Sequence, residues 1–162
     1  MAKFFTEFNE GHLSFIQEQK MFFVGTAPLS GGNVNVSPKG YHTLRVLNPN
    51  QVIYADYNGS GNETATHLSE NQRITFMWCS FANSPLILRG YGKGIVITKD
   101  HDTFAEYLHL HFPDLDARVI RQLFVVDIES VQTSCGFGVP IMSFVEERDT
   151  LIKSSERKYI TI

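Results

Sequence analysis

The sequence predicts a mainly β domain, with six or seven short strands in an antiparallel barrel or strongly bent sheet and a few peripheral helices. Three observations lead there. Runs rich in β-branched and aromatic residues recur along the chain, at 21–26, 51–57, 73–78 and 123–128 among others. Turn chemistry separates them, as in Pro28-Leu29-Ser30-Gly31-Gly32-Asn33 and Asn48-Pro49-Asn50. No regular strand–helix alternation runs through the chain, which argues against a parallel βαβ sheet.

Each element has its own signal. Phe5, Phe8, His12, Phe15 and Ile16 recur at helical spacing and predict an opening helix with one apolar stripe. Gly11 weakens it by roughly 1 kcal/mol relative to Ala, so its stability must come from packing. Residues 21–26 read as a buried strand and 34–37 as a half-exposed one, together a hairpin with a loose tip. Leu44-Arg45-Val46-Leu47 is a short apolar piece in a polar connection, and 51–57 is the strongest strand in the chain. Ser60 and Glu63 have capping-box spacing for a helix running to about Glu70. Strands follow at 73–78, 86–91 and 94–97, with a bulge or close backbone contact expected at Gly92. Asp100 or Asp102 is placed to cap a helix carrying Phe104, Tyr107, Leu108 and His111, which Pro113 stops. Residues 123–128 form a strand that 131–133 extend after a kink, and the tail from Met142 to about Lys158 has helical spacing.

At 162 residues the chain reads as one domain, 1–162, large enough to bury a core unaided. A formal charge of -3 gives no electrostatic reason to expect nucleic acid. The apolar runs are strand-sized and far too short to span a bilayer, so no membrane partner is expected. The N-terminus soon meets Glu7 and Glu10 and does not read as a signal peptide. Only Cys79 and Cys135 are present, which fits a reducing cytoplasm better than a disulfide framework.

The most informative stretch is 52–65, where a β-branched and aromatic run meets a Gly/Ser/Asn turn that opens a helix. The first amides of a helix lack partners and the dipole adds positive charge there, so this is a natural anion site. Ser60, Asn62 and Thr64 with their amides are the candidate phosphate ligands; a plain helix cap explains the same residues. Glu63 is awkward for the anion, since a carboxylate repels phosphate unless it turns away. Upstream, Ser37, Pro38 and Lys39 make a second phosphate-compatible patch, in which Lys39 acts as a compact point charge. Two such patches flanking one strand point to a phosphorylated cofactor lying across a sheet.

Other motifs exclude chemistry. His109 and His111 lie two apart on a helix and face different directions, and no Cys/His spacing suits zinc, so no metal is expected. Cys135 in Ser134-Cys135-Gly136-Phe137-Gly138-Val139-Pro140 has no adjacent His, and the glycines read better as a tight turn against something bulky. The usual dinucleotide, triphosphate and hydrolase signatures are missing.

Four blocks in order carry a resemblance: 22–28 (FFVGTAP), 34–40 (VNVSPKG), 59–65 (GSGNETA) with His67 and Leu68, and 134–140 (SCGFGVP). Arg89 with Gly92-Lys93-Gly94 adds to it. Over nearly its whole length the chain resembles the pyridoxamine 5′-phosphate oxidase-like family, the FMN-binding split barrels, and is most similar to the family's short members. The resemblance implies a homodimer with FMN in a cleft between subunits. It implies that Asn35, Val36, Ser37, Pro38 and Lys39 run along the flavin and its phosphate, that Tyr54 and Ala55 lie under the ring system, and that Asn62, Glu63 and Thr64 meet the phosphate. Thr64 and Glu63 stand where the oxidases proper have a lysine and an arginine, so phosphate binding would rely on Lys39, hydroxyls and amides. An arginine- and histidine-rich C-terminal segment with a flavin-contacting tryptophan is absent, and Ile87 replaces a glutamine, which puts pyridoxamine phosphate oxidation itself in doubt. The expected function is an FMN-dependent oxidoreductase acting on a small molecule. The alternatives are a non-enzymatic FMN-binding or storage protein, or a split barrel that binds haem or a deazaflavin.

Overall fold

The computed structural model describes residues 2–160, with side chains to residue 157; Met1, Thr161 and Ile162 of the expected 1–162 domain lie outside the described residues. The elements follow in the order β1 (Lys3–Phe5), α1 (Glu10–Glu18), β2 (Phe22–Thr26), β3 (Asn35–Lys39), β4 (Leu44–Asn48), β5 (Gln51–Tyr57), α2 (Glu63–Asn71), β6 (Arg73–Cys79), β7 (Ile87–Thr98), α3 (Phe104–His111), β8 (Ile120–Ser134) and α4 (Thr150–Ile160). The strands make one antiparallel sheet in the order β3-β2-β6-β7-β8-β5-β4, with the short β1 added on β8. The end strands β3 and β4 do not pair with each other, so the barrel stays split. The expected mainly β, antiparallel split barrel is what forms, with β1 as an eighth strand.

β5 reads as a continuous apolar run because both of its faces are covered. Val52 and Tyr54 enter a cluster with Phe22, Phe76, Trp78 and Phe124, in which Tyr54 stacks on Phe124 at 4.6 Å and Phe76 on Trp78 at 5.6 Å. Ile53 and Ala55 enter a second cluster that α3 closes with Phe104 and Leu108, joined by Phe112 just after the helix. β7 and β8 are the long strands onto which the rest of the sheet is built, paired from Ile87↔Ser134 to Thr98↔Gln122.

Four expectations change. Phe5 belongs to β1 and Phe8 precedes the first helix, because Asn9 caps it: the Asn9 side chain accepts from the His12 amide and His12 Nδ1 accepts from the Asn9 amide. β7 is one strand rather than two, interrupted by a register shift at Gly92 where a Cβ would collide with the Asp127 carbonyl. The cap of α3 is Thr103, not Asp100 or Asp102. Residues 141–149 are exposed and non-helical, and helix begins only at Thr150.

Candidate functional site

Along β5 the side chains alternate, so Asp56 shares the barrel side of Val52 and Tyr54 and brings a carboxylate to the end of an apolar row. It is 4 % exposed. A buried carboxylate persists only if it is paired, and three side chains from two strands supply partners. Lys39, at the end of β3, donates from Nζ to Oδ1 at 2.8 Å. Arg121, at the start of β8, donates to Oδ2 from Nη2 at 2.6 Å and from Nε at 3.2 Å. Gln122, directly opposite Asp56 in the β5–β8 register, adds Nε2 at 3.0 Å.

The same side chains reach the turn before α2. Arg121 Nη2 donates to the Gly61 carbonyl at 2.8 Å and Gln122 Nε2 to Asn62 Oδ1 at 2.7 Å. Asn62 rather than Ser60 is the N-cap of α2, and its side chain, taken by Gln122, makes no capping bond. The expected Ser60–Glu63 capping box is therefore not formed. The opening amides of α2 are left without a side-chain cap, beside two cations.

These groups surround an open cavity of about 260 Å³. Ser37, Pro38, Lys39, Ala55, Ser60, Asn62, Glu63 and Thr64 line it, together with Asp56, Arg121, Gln122, and Leu151 from α4. Asn35 stands just behind: it donates to Thr64 Oγ1 at 3.2 Å and accepts from Ser37 Oγ at 3.1 Å, tying β3 to the start of α2. Val36 points outward and is 63 % exposed, while Tyr54 is wholly buried and does not reach the cavity. Glu63 is exposed and bends back over Gly61, where a Cβ would collide with its carboxylate. The charged lining thus comprises Lys39 and Arg121 against Asp56 and Glu63, with the α2 dipole adding positive character.

Sequence reasoning placed Lys39 but missed Asp56, Arg121 and Gln122. Asp56 carried a legible signal, a carboxylate inside a buried strand. Arg121 carried none, since its partner is 65 residues away.

The wall behind the cavity is the turn Gly40–Thr43, in which Tyr41 (φ 60°) and His42 (φ 52°) are consecutive left-handed residues. The Thr43 hydroxyl donates to the Gly40 carbonyl at 2.7 Å and the Tyr41 ring meets Tyr57 at 5.4 Å. Burial, then the charges of Glu147 and Asp149, push the Tyr41 phenol up.

The other candidate motifs stand apart. Cys135 is exposed, and Gly136 adopts φ 69° against the backbone of Leu86, which accounts for a glycine there. Cys79 is buried, and burial pushes its thiol up. No group of three His, Cys, Asp or Glu is placed to hold a metal, and no helix is long and apolar enough to cross a membrane, among the described residues.

The sequence pattern of the pyridoxamine 5′-phosphate oxidase family matches residues 8–135. The pyridoxamine 5′-phosphate oxidase family protein ustO of Aspergillus flavus is 38% identical over 153 residues, covering 93% of this chain and 61% of that protein. The chain therefore spans about three fifths of the length of this curated relative. Among solved structures, the H111A variant of HupZ of Group A Streptococcus superposes with a TM-score of 0.63 at 15% identity, over 78% of this chain and 98% of that one. The FAD binding protein of Mycobacterium smegmatis (TM-score 0.52, 10% identity, 80% and 97% covered) and the haem storage protein HutZ of Vibrio cholerae (0.52, 17%, 74% and 89%) share the fold. With most of its length inside the family pattern, and a relative at this identity over nearly all of it, the chain belongs to the pyridoxamine 5′-phosphate oxidase family.

Proposed function

We propose that the cavity beside Asp56 binds the phosphate of FMN and that the protein is an FMN-dependent oxidoreductase acting on a small molecule. The observation that carries this reading is the convergence of Lys39, Arg121 and the uncapped amides of α2 on one open cavity. The hydroxyls of Ser60 and Thr64 add donors, while that of Ser37 is given to Asn35.

At about 260 Å³ the cavity is smaller than the sites that enclose a whole drug-sized ligand. It suits the phosphate and adjoining chain of a mononucleotide, leaving the ring to be covered from outside. A second copy of this chain is the natural cover, and a homodimer is part of the proposal. The flavin, when bound, supplies hydride or electron transfer. This chain's residues would hold the phosphate, orient the ring and limit water; none is required as a general acid or base.

The test is a titration with FMN and with riboflavin, which lacks the phosphate. FMN should bind tenfold or more tightly than riboflavin, and Arg121→Ala should abolish most of that preference, since a charge-assisted hydrogen bond is worth about 1.5–3 kcal/mol. Equal affinity for the two flavins would remove the phosphate from the cavity. Anaerobic reduction by NADH or NADPH followed by reoxidation separates an oxidoreductase from a protein that only stores FMN.

A further inference from the structure

A second and larger cavity, about 490 Å³, adjoins the first. Gly40 and Thr43 line both, Tyr41 only the first and His42 only the second, so the left-handed turn is the partition between them. The cavity occupies the split of the sheet, between the start of β2 and the open edge of β4, beside the last turn of α1.

Its lining combines an apolar wall with polar residues, Gln17, Gln19, Thr43 and Asn48 among them. Ile16, Phe22, Leu44, Val46 and Trp78 line it, and Trp78 is 1 % exposed. Because the Ala55 amide donates to the Thr43 carbonyl, the alternation of an antiparallel ladder leaves the backbone groups of Leu44 and Val46 on the open side of β4. Arg45 Nη1 takes the Leu44 carbonyl there at 3.1 Å.

Every charged side chain in the lining is basic: Lys20 and Arg45, with His42 beside them. Arg45 is committed, since it binds Asp114 at 3.1 Å and lies over the Phe112 ring at 4.8 Å. Lys20 is exposed and forms no ion pair among the described residues; its ammonium stands 5.8 Å from the Phe144 ring. Glu147 of the C-terminal segment lies against Gly40 but is not part of the lining.

We infer that this cavity is a second ligand site, built for a small amphipathic anion. An apolar chain or ring packs on Ile16, Phe22 and Trp78, and a single carboxylate is directed to Lys20 at the mouth. The volume falls in the range of ordinary small-molecule sites, which are apolar with a few fixed polar groups. The inference does not depend on what the first cavity holds.

Trp78 is the single tryptophan of the chain and reports on this cavity directly. The experiment is a titration of the full chain with octanoate, at constant ionic strength, following Trp78 emission. A saturable change is expected, weakened about fivefold by Lys20→Ala and to a similar extent when octanol replaces octanoate, as loss of one surface-accessible charge pair implies. Excess inorganic phosphate should leave the titration unchanged. No saturable change, identical curves for octanoate and octanol in both proteins, or displacement by phosphate would each overturn the assignment. Lys20 is exposed, so its replacement leaves the fold intact.

Discussion

Arg121 grips the Asp56 carboxylate through two guanidinium nitrogens, at 2.6 and 3.2 Å, and so binds the start of β8 to the end of β5 at the rim of the first cavity. Lys39 holds the other carboxylate oxygen. Neutralising Asp56 leaves these two cations facing each other across a site that is three-quarters buried. Asp56→Asn should cost about 1–3 kcal/mol, less than a fully buried pair because both cations keep contact with water. For a chain of this size that lowers Tm by roughly 3–10 °C. An added anion can take the lost carboxylate's place, so inorganic phosphate should raise the variant's Tm more than the wild type's. A variant that melts like wild type, or ignores phosphate, contradicts this account.

Glu63 faces the same cavity with the wrong sign for a phosphate. Glu63→Gln should tighten FMN binding about two- to fivefold at low salt, with the gain fading as ionic strength rises, because an exposed charge is screened. FMN titrations at two salt concentrations decide it; weaker binding in the variant would mean that Glu63 supports the site.

Gly92 allows β7 and β8 to approach where their register shifts, and a Cβ there would drive into the Asp127 carbonyl. Gly92→Ala should destabilise by about 1–3 kcal/mol. Gly138 is the control, since a Cβ added there would meet nothing within 4 Å and its φ is not positive. The Gly138→Ala variant should melt at or slightly above wild type. Equal Tm values for the two variants would count against the bulge as a packing constraint.

Tyr54 is buried, and its hydroxyl has no hydrogen-bond partner of ordinary geometry among the described residues. The Thr64 hydroxyl, close enough to favour the phenolate slightly, is instead bonded by Asn35 at 3.2 Å. Tyr54→Phe should therefore be neutral or stabilising by about 1 kcal/mol. Burial, then the Asp56 charge, hold the phenol well above its ordinary 10.0. Below that value the phenol is protonated in folded and unfolded chains alike and stability is unaffected. Above it only the unfolded chain ionises, so stability falls as pH rises. The variant should lose up to one proton, about 1.4 kcal/mol per pH unit, from that slope. Melting at a series of pH values above 10 measures it, and an unchanged slope would place the phenol in water.

The strands were legible because β-branched runs and turn residues mark them without reference to the rest of the chain. Gly92 was legible for the same local reason. Phe5 and Phe8 misled because their spacing fits a helix, while the Asn9 cap that excludes them from α1 depends on His12 folding back. The lining of the first cavity was half visible: the turn at 59–65 and Lys39 lie in recognisable blocks, and Asp56 was an anomaly in an apolar strand. Arg121 could not be found, since only the β5–β8 pairing brings it to Asp56. Tyr54 shares its face of β5 with Asp56, but its ring is enclosed in the core cluster, and only Asp56, two residues nearer the strand end, reaches the cavity on that face.

Leu151 reaches the cavity from a helix that begins after residue 135, the last position matched by the family pattern. The family pattern thus ends before the wall is complete, and the final contribution comes from a helix held by the Ser155 hydroxyl on the Asn58 carbonyl at 3.2 Å. A different chain end would therefore reshape the mouth of this cavity without touching Lys39, Asp56 or Arg121, so its outline can change while its charges stay in place.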